Sequence, residues 1–377
     1  MKSFKSLLKQ LHDATPTKFR YPLDVAAASM QDTLQNWRMP AYYVRASLHD
    51  GHSEGTILYL GERPQYKSWI YNFFGRNIEP NYIGNFSLPQ IIRGNNPALM
   101  ADIILCPINP LTLPLFVRCG WKIIPLHVLS RIDLTKPLDV LASSRDAKNE
   151  LRIIRKSDYR FQELRSEEAL KEFYYEMLKP TVMQRHSENP FLSDIESYMQ
   201  LYKTKGFLLA AYLGSEWVGA NLLHTSKHGT LVSANVGWRG ASDELMKKRV
   251  VSALLYELIK RASEYGFHTL DLGSSNPFAS DGPLNYKLKW GANIELPEIG
   301  YVDRHLLGIK AFIAVHFNFS STSARLMLQN TPLFEKNEAN LRVIGWNSVM
   351  PSTLQRQIDN GIPWINLAET HHMELPT

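Results

Sequence analysis

GFLLAAYLGSEWVGANLLHTSKHGTLVSANVG, residues 206–237, decides the fold. Its three runs of β-forming residues, GFLLAAYL, WVGANLLHTS and TLVSANVG, are separated only by the glycine-containing turns GSE and KHG. Strands joined by so little chain have no room for a crossover, so the stretch predicts an antiparallel meander. Downstream, residues 246–265 place Val250, Val251, Leu254, Leu255, Leu258, Ile259 and Ala262 on one stripe. That spacing predicts a long helix lying flat on a sheet, closed by Gly266. FHTLDLG (267–273) reads as a strand, and DGPLNYKLKWGA (281–292) as a short helix ended by Gly291.

Upstream, residues 138–158 predict a polar helix with Arg145, Lys148, Arg152, Arg155 and Lys156 spread along it, and residues 166–186 a second helix stopped at or soon after Pro180. Earlier still, AYYVRASL (41–48) and GTILYLG (55–61) form a hairpin, and SWIYNFFG (68–75) is a further strand. SLPQIIRGNN and ADIILCPIN predict a helix and then a buried strand, and residues 113–134 a short helix ending at Gly120 followed by a strand toward Asp133. Beyond 300, helical pieces are expected near 305–316 and 322–329. The expected organisation is an N-terminal helical segment (1–39), a first α/β unit (40–130), a second unit with the active cleft (131–300) and a C-terminal extension (301–377).

With 44% apolar and 21% charged residues among 377, the chain reads as globular and too long for one core. Its net charge of +6 biases it mildly toward anionic partners. The two cysteines, Cys106 and Cys119, lack metal-ligand spacing and read as small core residues in a reducing cytosol. No metal site is expected. The first residues carry no secretory h-region, but Phe4, Leu7, Leu8 and Leu11 alternate with Lys2, Lys5 and Lys9, a pattern that suits docking on the protein itself or peripheral contact of residues 1–12 with an anionic membrane. Phosphate-loop, dinucleotide, zinc-peptidase and α/β-hydrolase motifs are all missing from the sequence.

The order of meander, long helix, strand and short helix resembles the GNAT acyltransferase core, and more narrowly its FemAB-like branch. The residues carrying the resemblance are Gly219, Gly266, Asp271 and Gly273, with Gly282, Tyr286, Lys287, Trp290 and Gly291 in a G-x-x-x-[FY]-K-x-x-[FW]-G stretch. The resemblance covers about 130–295 well and 40–130 faintly. It implies an α/β protein of two GNAT-like units, each a mixed central sheet flanked by helices. It also implies transfer of an acyl group from an acyl-CoA or related thioester to the amine of an amino sugar or amino acid, with acyl-CoA as a co-substrate and no tightly bound cofactor. A second implied activity is aminoacyl-tRNA-dependent peptide-bond formation on a cell-envelope precursor or small molecule. A non-catalytic scaffold is the third reading.

Amide formation needs a neutral amine, a stabilised oxyanion and a neutralised leaving group. Lys287, Tyr286 and Asp271 are the candidate catalytic residues, with Asp281 and Glu216 as further carboxylates. Lys287 is expected to lean over the space that Gly291 leaves for substrate, since both share a helix face with Leu284. Arg239, Lys247, Lys248, Arg249, Arg152 and Arg155 are the candidate donor-phosphate contacts. Arg239, Gly240 and Ala241 only partly echo the CoA loop, and Asp243 and Glu244 would repel a pyrophosphate at the start of the long helix.

Overall fold

The computed structural model describes residues 17–49, 51–61, 67–75, 78–93, 100–185, 192–226, 229–297, 311–348 and 352–371. The segment expected to contact a membrane, residues 1–12, lies outside them. The chain forms two compact units, one drawing on Met1–Val128, Asn276–Asp281 and Leu296–Thr377, the other on Leu129–Ser275 and Gly282–Glu295. The described residues beyond 310 therefore fold with the first unit instead of forming an extension of their own.

In the first unit, β1 (Arg38–Ser47) pairs antiparallel with β2 (Glu54–Leu60), the expected hairpin, and with β3 (Asn81–Ser87). The fully buried β4 (Ile103–Ile108) runs parallel to β2, and β5 (Lys122–Pro125) follows. The stretch 68–75 is a helix, Lys67–Phe74, not a strand. Trp69, Ile70, Phe73 and Phe74 are all buried, and their spacing is that of one helical face; in so short an aromatic run the β-forming residue types obscured it. Cys106 is buried in β4 as expected, whereas Cys119 is exposed.

The second unit is built on a sheet whose strands are β6 (Val128–Asp133), β7 (Tyr159–Leu164), β8 (Gly206–Leu213), β9 (Glu216–Thr225), β10 (Leu231–Trp238), β11 (Thr269–Ser275) and β12 (Asn293–Glu295), in the order β12-β6-β11-β10-β9-β8-β7. The meander is present as β8, β9 and β10. One face buries helix Val250–Glu264 through Leu254, Leu258 and Ile259; the other buries Phe173, Met177 and Leu178.

Three helices differ from expectation. The polar helix is broken into Leu138–Leu141 and Arg145–Ile154, because Ser144 turns to cap the second piece by accepting from Ala147 N–H. The long helix begins at Val250, after a separate turn Asp243–Lys247 and a left-handed Arg249 (φ 64°). The helix carrying Pro180 ends at Arg185, within the expected span, but it is not regular. The chain stays helical through Glu167–Glu172, a π-turn Phe173–Leu178 and Lys179–Arg185, the wider turn absorbing the ring and the missing donor.

β13 (Phe312–Phe317), expected to be helical, enters the first sheet, giving the order β3-β1-β2-β4-β13-β5. An interior strand buried on both faces reads as a continuous apolar run, which periodicity alone cannot separate from a helix. The strands β14 (Leu333–Asn337), β15 (Asn340–Gly345) and β16 (Trp364–Asn366) make a third sheet.

The two large sheets repeat an arrangement that the sequence conceals. Each contains a parallel pair, then a strand from elsewhere in the chain, then an antiparallel edge strand: β2, β4, β13, β5 and β10, β11, β6, β12. In each, the helix before the edge strand closes on a positive-φ glycine, Gly120 (79°) or Gly291 (88°). The next N–H reaches back to the carbonyl five residues earlier, Trp121 to Phe116 and Ala292 to Lys287. The architecture is α/β, with mixed sheets flanked by helices.

Candidate active site

β10 and β11 are parallel neighbours, but only Leu231 with Leu270 and Val232 with Asp271 are in register. Beyond these pairs β10 runs on to Trp238 and β11 to Ser275 without pairing to each other. A bulge between Ser233 and Asn235 shifts the register of β10 against β9. Bulges sharpen local twist, which carries β10 away from its parallel neighbour. Residues 232–236 are consequently only half-buried although β10 is an interior strand. Main-chain groups facing the gap lack a ladder partner across it. Near the end of β10, still paired with β9, Gly237 lies against the π-turn: a Cβ there would meet Leu178 N and Cα and Met177 C at 2.8 Å.

The parting also strips the end of β11 of a partner, and Lys287 takes its place. Its Nζ donates to Gly273 O at 3.2 Å, Ser274 O at 2.8 Å and Ser275 Oγ at 3.0 Å. An ammonium with three donors thus serves two carbonyls and a hydroxyl at the end of β11 and ties them to helix Gly282–Lys289. The expected gap at Gly291 does not exist. A Cβ on that residue would meet Leu141 O at 2.8 Å and Leu141 Cα at 3.0 Å, so the backbone of Leu141 fills the space. The break in pairing lies between β10 and β11 instead.

Asp271 is 1% exposed. Its Oδ1 accepts from Gly273 N at 2.7 Å, and its Oδ2 lies 3.3 Å from Arg131 Nε, whose Nη1 holds Glu295 at 2.8 Å. With both oxygens engaged, it shapes the turn at Gly273 and is badly placed to take a proton from an arriving amine. Asp281 falls in the segment that folds with the first unit, where it accepts from Asn276 at 3.0 Å, and Glu216 is an exposed residue at the start of β9.

Tyr286 belongs to a cluster that sequence reasoning missed. Its hydroxyl donates to Ser252 Oγ at 3.2 Å, and Ser252 donates to Glu150 Oε2 at 2.5 Å. Glu150 Oε1 accepts from Lys289 Nζ at 2.9 Å and lies 3.9 Å from Arg249 Nε. The Lys289 ammonium also sits 4.5 Å from the centre of the Tyr286 ring. Both charged side chains are largely buried, Glu150 at 13% and Lys289 at 14% exposed. Three helices, Arg145–Ile154, Val250–Glu264 and Gly282–Lys289, supply these groups. The one signal available was a serine inside an apolar stripe.

The expected phosphate contacts do not gather into one set. Arg239 donates to Trp217 O at 2.8 Å and to Glu172 at 2.5 Å. Lys247 pairs with Glu244 at 2.6 Å, and that ammonium holds the Glu244 carboxyl below its ordinary range. Lys248, Arg152 and Arg155 are exposed. Tyr159 donates to Lys248 O at 3.1 Å, its phenol pushed up to about 12 by burial. Only Arg249 reaches the Glu150 cluster. Among the described residues, no three His, Cys, Asp or Glu side chains assemble as a metal site, and no helix is long and apolar enough to cross a membrane.

The second unit is thus a mixed sheet whose interior parallel pair parts, with a long and a short helix packed in the same unit. No family model and no curated protein matches the chain. Solved structures similar to it include FemX, at 13% identity and a TM-score of 0.39, covering 73% of this chain and 88% of that one. Another is L-PGS from Bacillus licheniformis, at 14% and 0.32, covering 62% and 65%. A third is a GCN5-related N-acetyltransferase from Sphaerobacter thermophilus, at 13% and 0.31, covering 73% and 75%.

Proposed function

We propose that the second unit is an amide-forming N-acyltransferase. The observation supporting this is the gap between β10 and β11, where main-chain groups of an interior strand stand open beside Lys287. A donor carbonyl seated there would meet preorganised N–H groups, the arrangement that stabilises a tetrahedral oxyanion. The acceptor nitrogen attacks the carbonyl carbon, forming the C–N bond. Collapse breaks the C–S or C–O bond, and the leaving group departs with a proton. The acceptor nitrogen gives up that proton, and we assign its relay to Tyr286, whose hydroxyl is held by Ser252 and, through it, Glu150. Lys287 acts by keeping the strands apart. The acceptor is an amine of an amino sugar, an amino acid or a cell-envelope precursor.

The test is incubation with acyl-CoA and aminoacyl-tRNA donors and a panel of amines, followed by mass spectrometry. An amide product that requires the protein supports the reading. If every donor class gives none while the protein is folded, it fails, and a binding or scaffold role replaces it.

A further inference from the structure

The Glu150 carboxylate is ringed by donors. Lys289 Nζ and Ser252 Oγ contact it directly, Arg249 approaches it, and Tyr286 hydrogen-bonds through Ser252. Without Glu150, this set would present two cations and two hydroxyls at the first turn of helix Val250–Glu264. That combination binds phosphate groups in general, because ammonium, guanidinium and hydroxyl donors converge where the helix dipole is also positive. Here a side chain of the protein already occupies it.

We infer that Glu150 is an internal anion that fills the place a diphosphate would need, and so restricts the acyl donor to molecules without a diphosphate handle at this helix. The inference rests on the acyl-transfer reading above and narrows its donor class, against nucleotide thioesters. The physical reason is charge. A diphosphate carrying two or more negative charges would have to settle in contact with a largely buried carboxylate, and repulsion between charges at contact distance is weakly screened in such a place. Ejecting Glu150 would leave its carboxylate without its partners, and breaking a buried ion pair is strongly unfavourable. Asp243 and Glu244, exposed on the turn just before this helix, add to the repulsion.

The experiment measures anion binding rather than catalysis. Inorganic pyrophosphate and coenzyme A are titrated calorimetrically into the wild type, Glu150→Gln and the double variant Glu150→Gln/Lys289→Gln. The wild type is expected to bind neither. Glu150→Gln, which keeps the shape and a hydrogen bond to Ser252, should gain pyrophosphate affinity by at least about tenfold, a gain that weakens with salt. The double variant should lose it. Tight pyrophosphate or coenzyme A binding by the wild type, or no gain in Glu150→Gln, overturns the inference. Should Glu150→Gln fold poorly, Glu150→Ala serves: it removes the same charge and must show a gain of the same sign. Because no amide is measured, a gain in binding by a protein that forms no product would sink the acyl-transfer reading alone. An active enzyme whose Glu150→Gln variant gains nothing would sink this inference alone.

Discussion

The Nζ of Lys287 donates to the carbonyl oxygen of Ser274 at 2.8 Å, tying helix Gly282–Lys289 to the free end of β11. The lysine serves main chain, so its charge acts on substrate through the course of the strand. A parted parallel pair would tend to close or fray if the carbonyls at its end were left to water. Lys287 fixes them in one direction.

Gly291→Ala separates a packing role from a substrate-space role. The residue has φ 88° and its Cβ would clash with Leu141 O. Strain at positive φ together with a backbone overlap predicts a loss of roughly 2–4 kcal/mol. Urea unfolding checks it. A variant as stable as the wild type but inactive would restore the idea that Gly291 leaves room for substrate.

Tyr286→Phe removes the hydroxyl that reaches Ser252. Stability should fall by about 1 kcal/mol, because a single hydrogen bond is lost. Product formation should fall by about 10²-fold, the size of a proton-transfer contribution. Ser252→Ala should alter the pH dependence of the rate rather than abolish it, since Ser252 only orients Tyr286. A full rate in Tyr286→Phe removes this tyrosine from the chemistry.

Alkaline pH should unfold the second unit in a defined window. Burial pushes the phenols of Tyr159 and Tyr202 up from 10.0 to about 12. Their folded pKa values exceed the unfolded one, so the folded protein keeps protons that the unfolded chain releases. Stability from this source is whole below pH 10 and is lost as pH rises toward about 12. Tyr202→Phe should flatten part of that decline in urea midpoints taken across the window. An unchanged slope would mean that the phenol is not held back by burial.

The meander, the stripe of helix Val250–Glu264 and the closing glycines were legible because each is a local pattern: alternation, a 3.6-residue period, a positive-φ stop. Lys287 was legible as a residue but not in its role, since the carbonyls it serves exist only where β10 and β11 part. The parting depends on a bulge at Ser233 and Asn235 that has no sequence signature here. Glu150 was hidden in a basic helix, where its likeness to an ordinary i,i+4 partner concealed a contact with Ser252, far along the chain. β13 was misread because a strand buried on both faces has no alternation to show.

The most direct measurement compares amide formation by the wild type and Lys287→Met, with folding verified by urea unfolding. Methionine keeps much of the apolar length and removes all three donors; of the freed acceptors Ser274 is exposed, Gly273 half-buried and Ser275 buried, so the stability loss should be about 1–3 kcal/mol. The expected result is a fall of about 10²–10³-fold in kcat with KM little changed, the mark of a site whose oxyanion donors are no longer held in place. A folded Lys287→Met protein that forms amide at the wild-type rate would contradict the claim that this lysine, by holding β11 apart from β10, makes the active site.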